Sequence, residues 1–236
     1  MFKKSKFIKS VLDFLIKNTK HDRQYKDHIL DLLLDTKEKT VLDLVNEGYL
    51  VDIGWFNAFE KKEPVGINNE PIPWITYPAI EFLSARLCSQ MDIFEFGAGH
   101  STLYYSTRVA SVTSVEHDAS WYEKIKSTMP GNVNLLFKEL KYDGEYCRTA
   151  LVDDRKYDII IVDGRDRVNC MKYSLPALKN NGVMILDDSQ RNEYLEGKEY
   201  LSNAGFKYIE FKGISPGYFS SSNTTIYYKD SNCVGL

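Results

Sequence analysis

Closely spaced cysteine pairs are missing from this 236-residue chain. Cys88, Cys147, Cys170 and Cys233 stand far apart without a C-x-x-C, so neither a zinc site nor a small disulfide framework is signalled, and reduced, mostly buried thiols are expected. Long hydrophobic runs are also missing. The most apolar stretch, 157-YDIIIVDG-164, falls far short of the roughly 20 residues a membrane helix needs, and no signal-peptide core follows the N-terminal lysines. The expectation is a cytoplasmic protein with no stable membrane insertion. Charge of one sign is scarce too: 30 Lys and Arg against 33 Asp and Glu leave a net −3, which argues against nucleic acid as a partner. Any ligand has to be found by a local site.

What is present is an ordinary globular composition, 43% hydrophobic and 27% charged, which sets aside disorder and low complexity. Aromatics reach 13%, with 16 tyrosines. A tyrosine, flat and apolar with a polar tip, suits either half-buried packing or a cleft for a polar organic ligand. The pattern along the chain changes near residue 70. Before it, 7-FIKSVLDFLIK-17, 26-KDHILDLLLDT-36 and 39-KTVLDLVNEG-48 carry apolar residues at helical spacing. The first sets Lys3, Lys4, Lys6 and Lys9 opposite Ile8, Val11, Leu12 and Leu15, a face for anionic lipid or, more commonly, for a neighbouring apolar surface. From 50 to 73, Gly54, Pro64, Gly66, Asn68, Asn69, Pro71 and Pro73 predict a long loop, and its Trp55, Phe56 and Phe59 suggest a lid. The expected division is an N-terminal helical cap and lid over 1–70 and a core over 71–236.

In the core, short apolar strands at 92–96, 112–116, 133–137, 157–163, 183–187, 206–211 and 224–229 alternate with helical stretches at 101–109, 119–128, 168–179 and 190–203. That alternation predicts an α/β fold with a mostly parallel seven-stranded sheet. Only 212-KGISPGYFSSSN-223 joins the last two strands, so the end of the sheet reverses to an antiparallel hairpin.

The chemistry begins at 92-DIFEFGAGHSTLYYS-106, where a strand runs through Gly97-Ala98-Gly99 into a helix opened by Ser101 or Thr102, a turn able to bring backbone N–H groups to a ligand. The third glycine of the dinucleotide fingerprint is replaced by Thr102, against a standard NAD fold. The next strand ends in Glu116, seventeen positions after Gly99, where a carboxylate can accept both hydroxyls of an adenosine ribose. E-F-G-A-G-H-S-T followed by S-V-E-H-D resembles motifs I and II of class I S-adenosylmethionine-dependent methyltransferases, over roughly residues 71 to 230. The resemblance implies a Rossmann-like methyltransferase fold, S-adenosylmethionine as cofactor, Glu95, Gly97 and Gly99 around its methionine part and Glu116 on its ribose. Bacterial methyltransferases of cell-surface glycan synthesis are similar in carrying P-I-P-W-x-T-Y-P-A-I before the first strand and V-D-G-R after the fourth, which points to glycan modification.

Asp163 ends the fourth strand, and Asp187 and Asp188 end the fifth. Three convergent carboxylates need compensation. One solution is a divalent cation such as Mg²⁺ on Asp163, Asp187 and Asp188, similar to the metal site of catechol O-methyltransferases; the other is pairing with Arg165, Arg167 and Arg191. Methyl transfer to a hydroxyl needs a base, and Asp163 and Asp188 are the candidates, with Arg165 beside them. His21 and His28 fall in the first helices, whereas His100 and His117, with Ala98 and Ser101, are expected to line the cofactor pocket. Trp74 and Tyr77 either close over the cofactor or anchor a helix. The arginines either face an anionic acceptor, such as a uronic acid or sugar phosphate, or bridge nearby acids. The function expected is O-methylation of a sugar or other small polar hydroxyl compound, with a small-molecule or glycan acceptor as partner. A nucleotide- or NAD-binding oxidoreductase and a non-catalytic methyltransferase-like binding module are the alternatives. The oligomeric state is left open, a homodimer included.

Overall fold

The computed structural model describes residues 34–236 together with Ser10, Asp31 and Leu32. The helices expected at 7–17 and over most of 26–36, including the basic amphipathic face, lie outside the described residues. By proximity of Cα atoms the chain divides into Met1–Asp52 and Ile53–Leu236. In the first unit, α1 (Thr36–Asn46) accounts for the helix expected at 39–48. It starts where it does because Asp35 accepts a hydrogen bond from Glu38 N–H at 2.8 Å while the Glu38 carboxylate accepts from Asp35 N–H at 3.1 Å, a reciprocal cap. A short α2 (Tyr49–Asp52) follows.

The second unit takes in residues 53–70, which the change of pattern near residue 70 would group with the N-terminal helices. The stretch expected as one long loop instead holds α2, then α3 (Trp55–Lys61), and is pinned by a bridge between Val65 and Pro71. Gly54, at φ +74°, starts α3. A helix of two turns carries too few periodic positions to stand out among breakers, but Trp55 and Ala58 are buried. The Trp55 indole N–H donates to the Tyr218 carbonyl at 2.9 Å, and its ring stacks on Phe59 at 5.2 Å and meets Phe219 at 4.7 Å. Helix α4 (Tyr77–Ser84) leads into the sheet.

The order of elements is then β1 (Asp92–Phe96), α5 (His100–Ser106), β2 (Ser111–Glu116), α6 (Ala119–Ile125), β3 (Val133–Phe137), β4 (Tyr157–Val162), α7 (Arg167–Ser174), β5 (Leu178–Leu186), α8 (Leu195–Asn203), β6 (Lys207–Ile214) and β7 (Ser221–Tyr228). The seven strands lie in the order β3-β2-β1-β4-β5-β7-β6. The first five run parallel, and β7 pairs antiparallel with both β5 and β6, as the helix-free connection predicts. Every residue of β4 is buried, consistent with a central strand covered on both faces. Several boundaries differ from expectation, among them the start of β5 and the β6–β7 turn. β5 begins at Leu178, because 178 already pairs with Tyr157 before a register shift, and the β6–β7 ladder runs from Lys207–Tyr228 to Ile214–Ser221, leaving only 215–220 as the turn. Among the described residues, no helix is long and apolar enough to cross a membrane.

Candidate active site

The parallel ladder explains how residues distant in sequence meet. Phe96 is in register with Val115 on one side and Val162 on the other, and Val162 with Leu186. The ladder continues one residue further: Gly97 N–H donates to the Val115 carbonyl at 2.9 Å, Asp163 N–H to that of Phe96 at 3.2 Å, and Asp187 N–H to that of Val162 at 3.3 Å. Glu116, Gly97, Asp163 and Asp187 therefore stand in a row along the carboxyl edge, spanning the β1/β4 switch where open α/β sheets bind ligands. A cavity of about 900 Å³ opens above them.

The glycine turn is held from beneath and from the side. Gly97 adopts φ +94°, out of reach for most side chains. Gly99 N–H donates to the Thr102 hydroxyl at 3.0 Å, which donates to Glu95 Oε2 at 2.6 Å, while the Ser114 hydroxyl donates to the same oxygen at 2.8 Å. Burial pushes the Glu95 carboxyl up to about 7, against the hydroxyls of Ser101, Thr102 and Ser114 that favour its ionised form. Glu116 Oε1 accepts from the N–H groups of His117 and Asp118, both at 2.7 Å, and Oε2 from Ala98 N–H at 3.3 Å. Of about four lone-pair sites on a carboxylate, one is left for a ligand, where the sequence suggested room for two ribose hydroxyls.

Beyond β4 and β5 the acids meet arginines. Arg167 is buried, and it donates to the Gly164 carbonyl at 3.0 Å, to the Asp187 carbonyl and to Asp163 Oδ1 at 3.0 Å. Burial lifts the Asp163 carboxyl to about 6 despite that guanidinium. Asp187 is raised well above its usual range by burial and accepts from the Thr224 hydroxyl at 2.7 Å. Asp188, in the left-handed region at φ +52°, is paired with Arg191; such backbone positions concentrate at functional sites. Among the described residues, no three His, Cys, Asp or Glu side chains form a metal-ligand set. Of the two arrangements open for Asp163, Asp187 and Asp188, the pairing with arginine is the one present for Asp163 and Asp188, while Asp187 accepts from the Thr224 hydroxyl.

Most expected site residues line the cavity: Trp74, Glu95, Gly97, Ala98, Gly99, His100, Ser101, Glu116, His117, Asp163, Arg165, Asp187 and Asp188. Two do not. Thr102 is fully buried beneath the glycine turn and acts through Gly99 and Glu95, and Tyr77 is buried in the first turn of α4. Trp74 donates from its indole to the Pro216 carbonyl at 2.9 Å and lies 5.6 Å from the Tyr218 ring, so these two, rather than Tyr77, form the aromatic wall. His117 Nδ1 lies 3.0 Å from Glu116 Oε1. His100 Nε2 is 3.9 Å from Glu63 Oε2, and burial lowers its pKa, which keeps the ring neutral at pH 7. Sequence reasoning missed Trp121, whose indole donates to the Ala98 carbonyl at 2.8 Å and whose ring would sit 3.5 Å from a Cβ on Gly99. A signal existed: Asp118 caps α6 by accepting from Trp121 N–H at 2.9 Å, which fixes Trp121 in the turn next to the glycine loop.

Among solved structures, the chain is similar to a protein from Staphylococcus aureus assigned as a caffeoyl-CoA O-methyltransferase, at 16% identity over 83% of this chain and 100% of that one, with a TM-score of 0.50. This is the Rossmann-like methyltransferase fold. A precorrin-6y C5,15-methyltransferase from Geobacter metallireducens GS-15 is also similar, at 16% identity over 65% of this chain and 87% of that one, with a TM-score of 0.49. No protein-family model matches the chain, and no curated protein does.

Proposed function

We propose that the chain is an S-adenosylmethionine-dependent methyltransferase acting on a hydroxyl oxygen of a sugar or another small polar compound. The observation that carries this reading is the shared cavity: the glycine turn, Glu116 and Asp163 open into one space at the β1/β4 switch. The cavity of about 900 Å³ lies near the upper end of the roughly 300–1,000 Å³ usual for small-ligand pockets. The residues fit the cofactor. Gly97 and Gly99 present backbone rather than side chain, Gly99 being flanked by the Trp121 ring, and Glu116 keeps a lone-pair site for a ribose hydroxyl. Glu95, Gly97 and Gly99 would hold the methionine part, with Trp74, His100, Ser101 and His117 around it.

The cofactor, when bound, supplies a sulfonium methyl group. Asp163, one-quarter exposed and lining the cavity, would take the proton of the acceptor hydroxyl. Arg167 fixes the Asp163 carboxylate from within the protein, and Asp188 with Arg191 borders the same space. A thermal-shift panel tests the reading, because a ligand that binds only the folded state raises the melting temperature. S-adenosylmethionine and S-adenosylhomocysteine are expected to do so and NAD is not. Stabilisation by NAD alone would remove the reading. A methyl-transfer screen over sugars, nucleotide sugars and phenols then identifies the methylated atom; a product carrying the methyl on nitrogen or carbon sinks the oxygen assignment.

A further inference from the structure

Of the three arginines beyond β4 and β5, two are paired with groups of the chain itself. Arg167 is buried on Asp163, Gly164 and Asp187, and Arg191 is paired with Asp188 and lies 3.8 Å from Glu193. Arg165 lines the same cavity as both and is exposed like Arg191, but it differs from them in one respect: among the described residues no carboxylate or carbonyl partners its guanidinium. Its backbone, by contrast, is tightly held. On one side, Gly164 is pressed so close that an added Cβ would lie 2.1 Å from the Tyr146 hydroxyl. On the other, Asp166 sits at φ +52° with its carboxylate accepting from Asp143 N–H and from the Asn169 amide, both at 2.8 Å. The Arg165 carbonyl itself accepts from the Cys170 thiol at 3.3 Å.

A rigid backbone carrying an uncommitted guanidinium at a cavity wall is the arrangement of a recognition residue. None of the neighbouring acids is paired with it: Asp163 faces Arg167, Asp188 faces Arg191, and the two Asp166 oxygens accept from Asp143 N–H and the Asn169 amide. The same cavity is bordered by Ser220, Ser221 and Ser222, which suit a hydroxylated ligand. A guanidinium offers paired N–H donors that match the two oxygens of a carboxylate or phosphate. We infer that Arg165 is the specificity-determining residue for an acceptor that carries an anionic group, carboxylate or phosphate, on the same small polyhydroxy molecule that is methylated. The inference rests on the methyltransferase reading for what the anion belongs to.

The test is calorimetric titration of the full chain, with and without saturating S-adenosylhomocysteine, using glucuronate, glucose 1-phosphate and neutral glucose. At least one anionic sugar is expected to bind at least tenfold more tightly than glucose, with the carboxylate and phosphate arms showing which group is preferred. Arg165→Gln is expected to erase that preference and Arg165→Lys to restore part of it, while affinity for S-adenosylhomocysteine stays the same in all three proteins. Equal binding of glucose and both anionic sugars, or a preference that survives Arg165→Gln, overturns the inference. Failure of S-adenosylhomocysteine to bind sinks the methyltransferase reading alone, because the anion preference is also read in its absence.

Discussion

Asp163 has its carboxyl lifted to about 6 because burial outweighs the Arg167 guanidinium 3.0 Å away. A base must be ionised to take a proton, so kcat/KM is expected to rise about tenfold per pH unit below pH 6 and to level off above about pH 7. Asp163→Asn keeps the size and the hydrogen bond but loses the base. Its kcat should fall by about 10²–10⁴-fold, with S-adenosylhomocysteine affinity changed far less. Steady-state rates across pH, together with calorimetry, check both; a flat acid limb would assign the proton to another group. The pairing of these acids was legible locally, since Arg167 follows Asp163 by four positions and Arg191 follows Asp188 by three. That Arg165 would be left without a partner was not, because the direction of a side chain depends on what fills the space around it. For the same reason Tyr77 could not be placed: the aromatic next to a helix start faces inward or outward according to packing that spacing does not encode.

Gly164 shows how two elements come together at the site. A Cβ there would lie 2.1 Å from the Tyr146 hydroxyl and 3.1 Å from Gly97 N and Phe96 C, so the turn after β4 can approach the turn after β1 only as glycine. Gly164→Ala is therefore expected to cost about 1–3 kcal/mol, the usual range for forced overpacking. Adding Tyr146→Phe removes the nearest atom and should recover part of that loss. Urea unfolding of the single and double variants measures it; a single variant as stable as the parent would show that the two turns are not in close contact. Strand positions were readable because β1 and β4 carry buried apolar residues and β2 is rich in β-branched Val and Thr. The early part of β5 and the short helix α3 were not. The first is written in polar residues, 179-KNNG-182, and the second holds too few turns to display a period.

At the scale of the molecule, Glu95 links the site to stability. Its carboxyl stands near 7 in the folded protein against about 4.5 unfolded, so between those values the folded chain holds a proton that the unfolded chain has lost. Stability from this group is full below about pH 4.5 and is lost as pH rises through about 7. The loss accumulates at about 1.4 kcal/mol for each pH unit between those two values, on the order of 3 kcal/mol in all. Melting temperature measured from pH 5 to pH 8 should fall for the parent and fall less steeply in Glu95→Gln, the raised Asp163 and Asp187 carboxyls keeping part of the slope; an equal slope in both would remove Glu95 as a cause. The seven strands, the final reversal, the glycine turn and the acid that ends β2 all follow from the sequence alone, because period, breakers and strand-end residues are local properties of a chain. Only the tertiary structure decided that Glu116, Gly97, Asp163 and Asp187 stand in one row, that the three acids are partnered by arginines and a threonine hydroxyl, and that Trp121 braces the glycine turn. Those facts depend on the register between strands and on which side chains reach the same space, and both are settled when distant segments pack together.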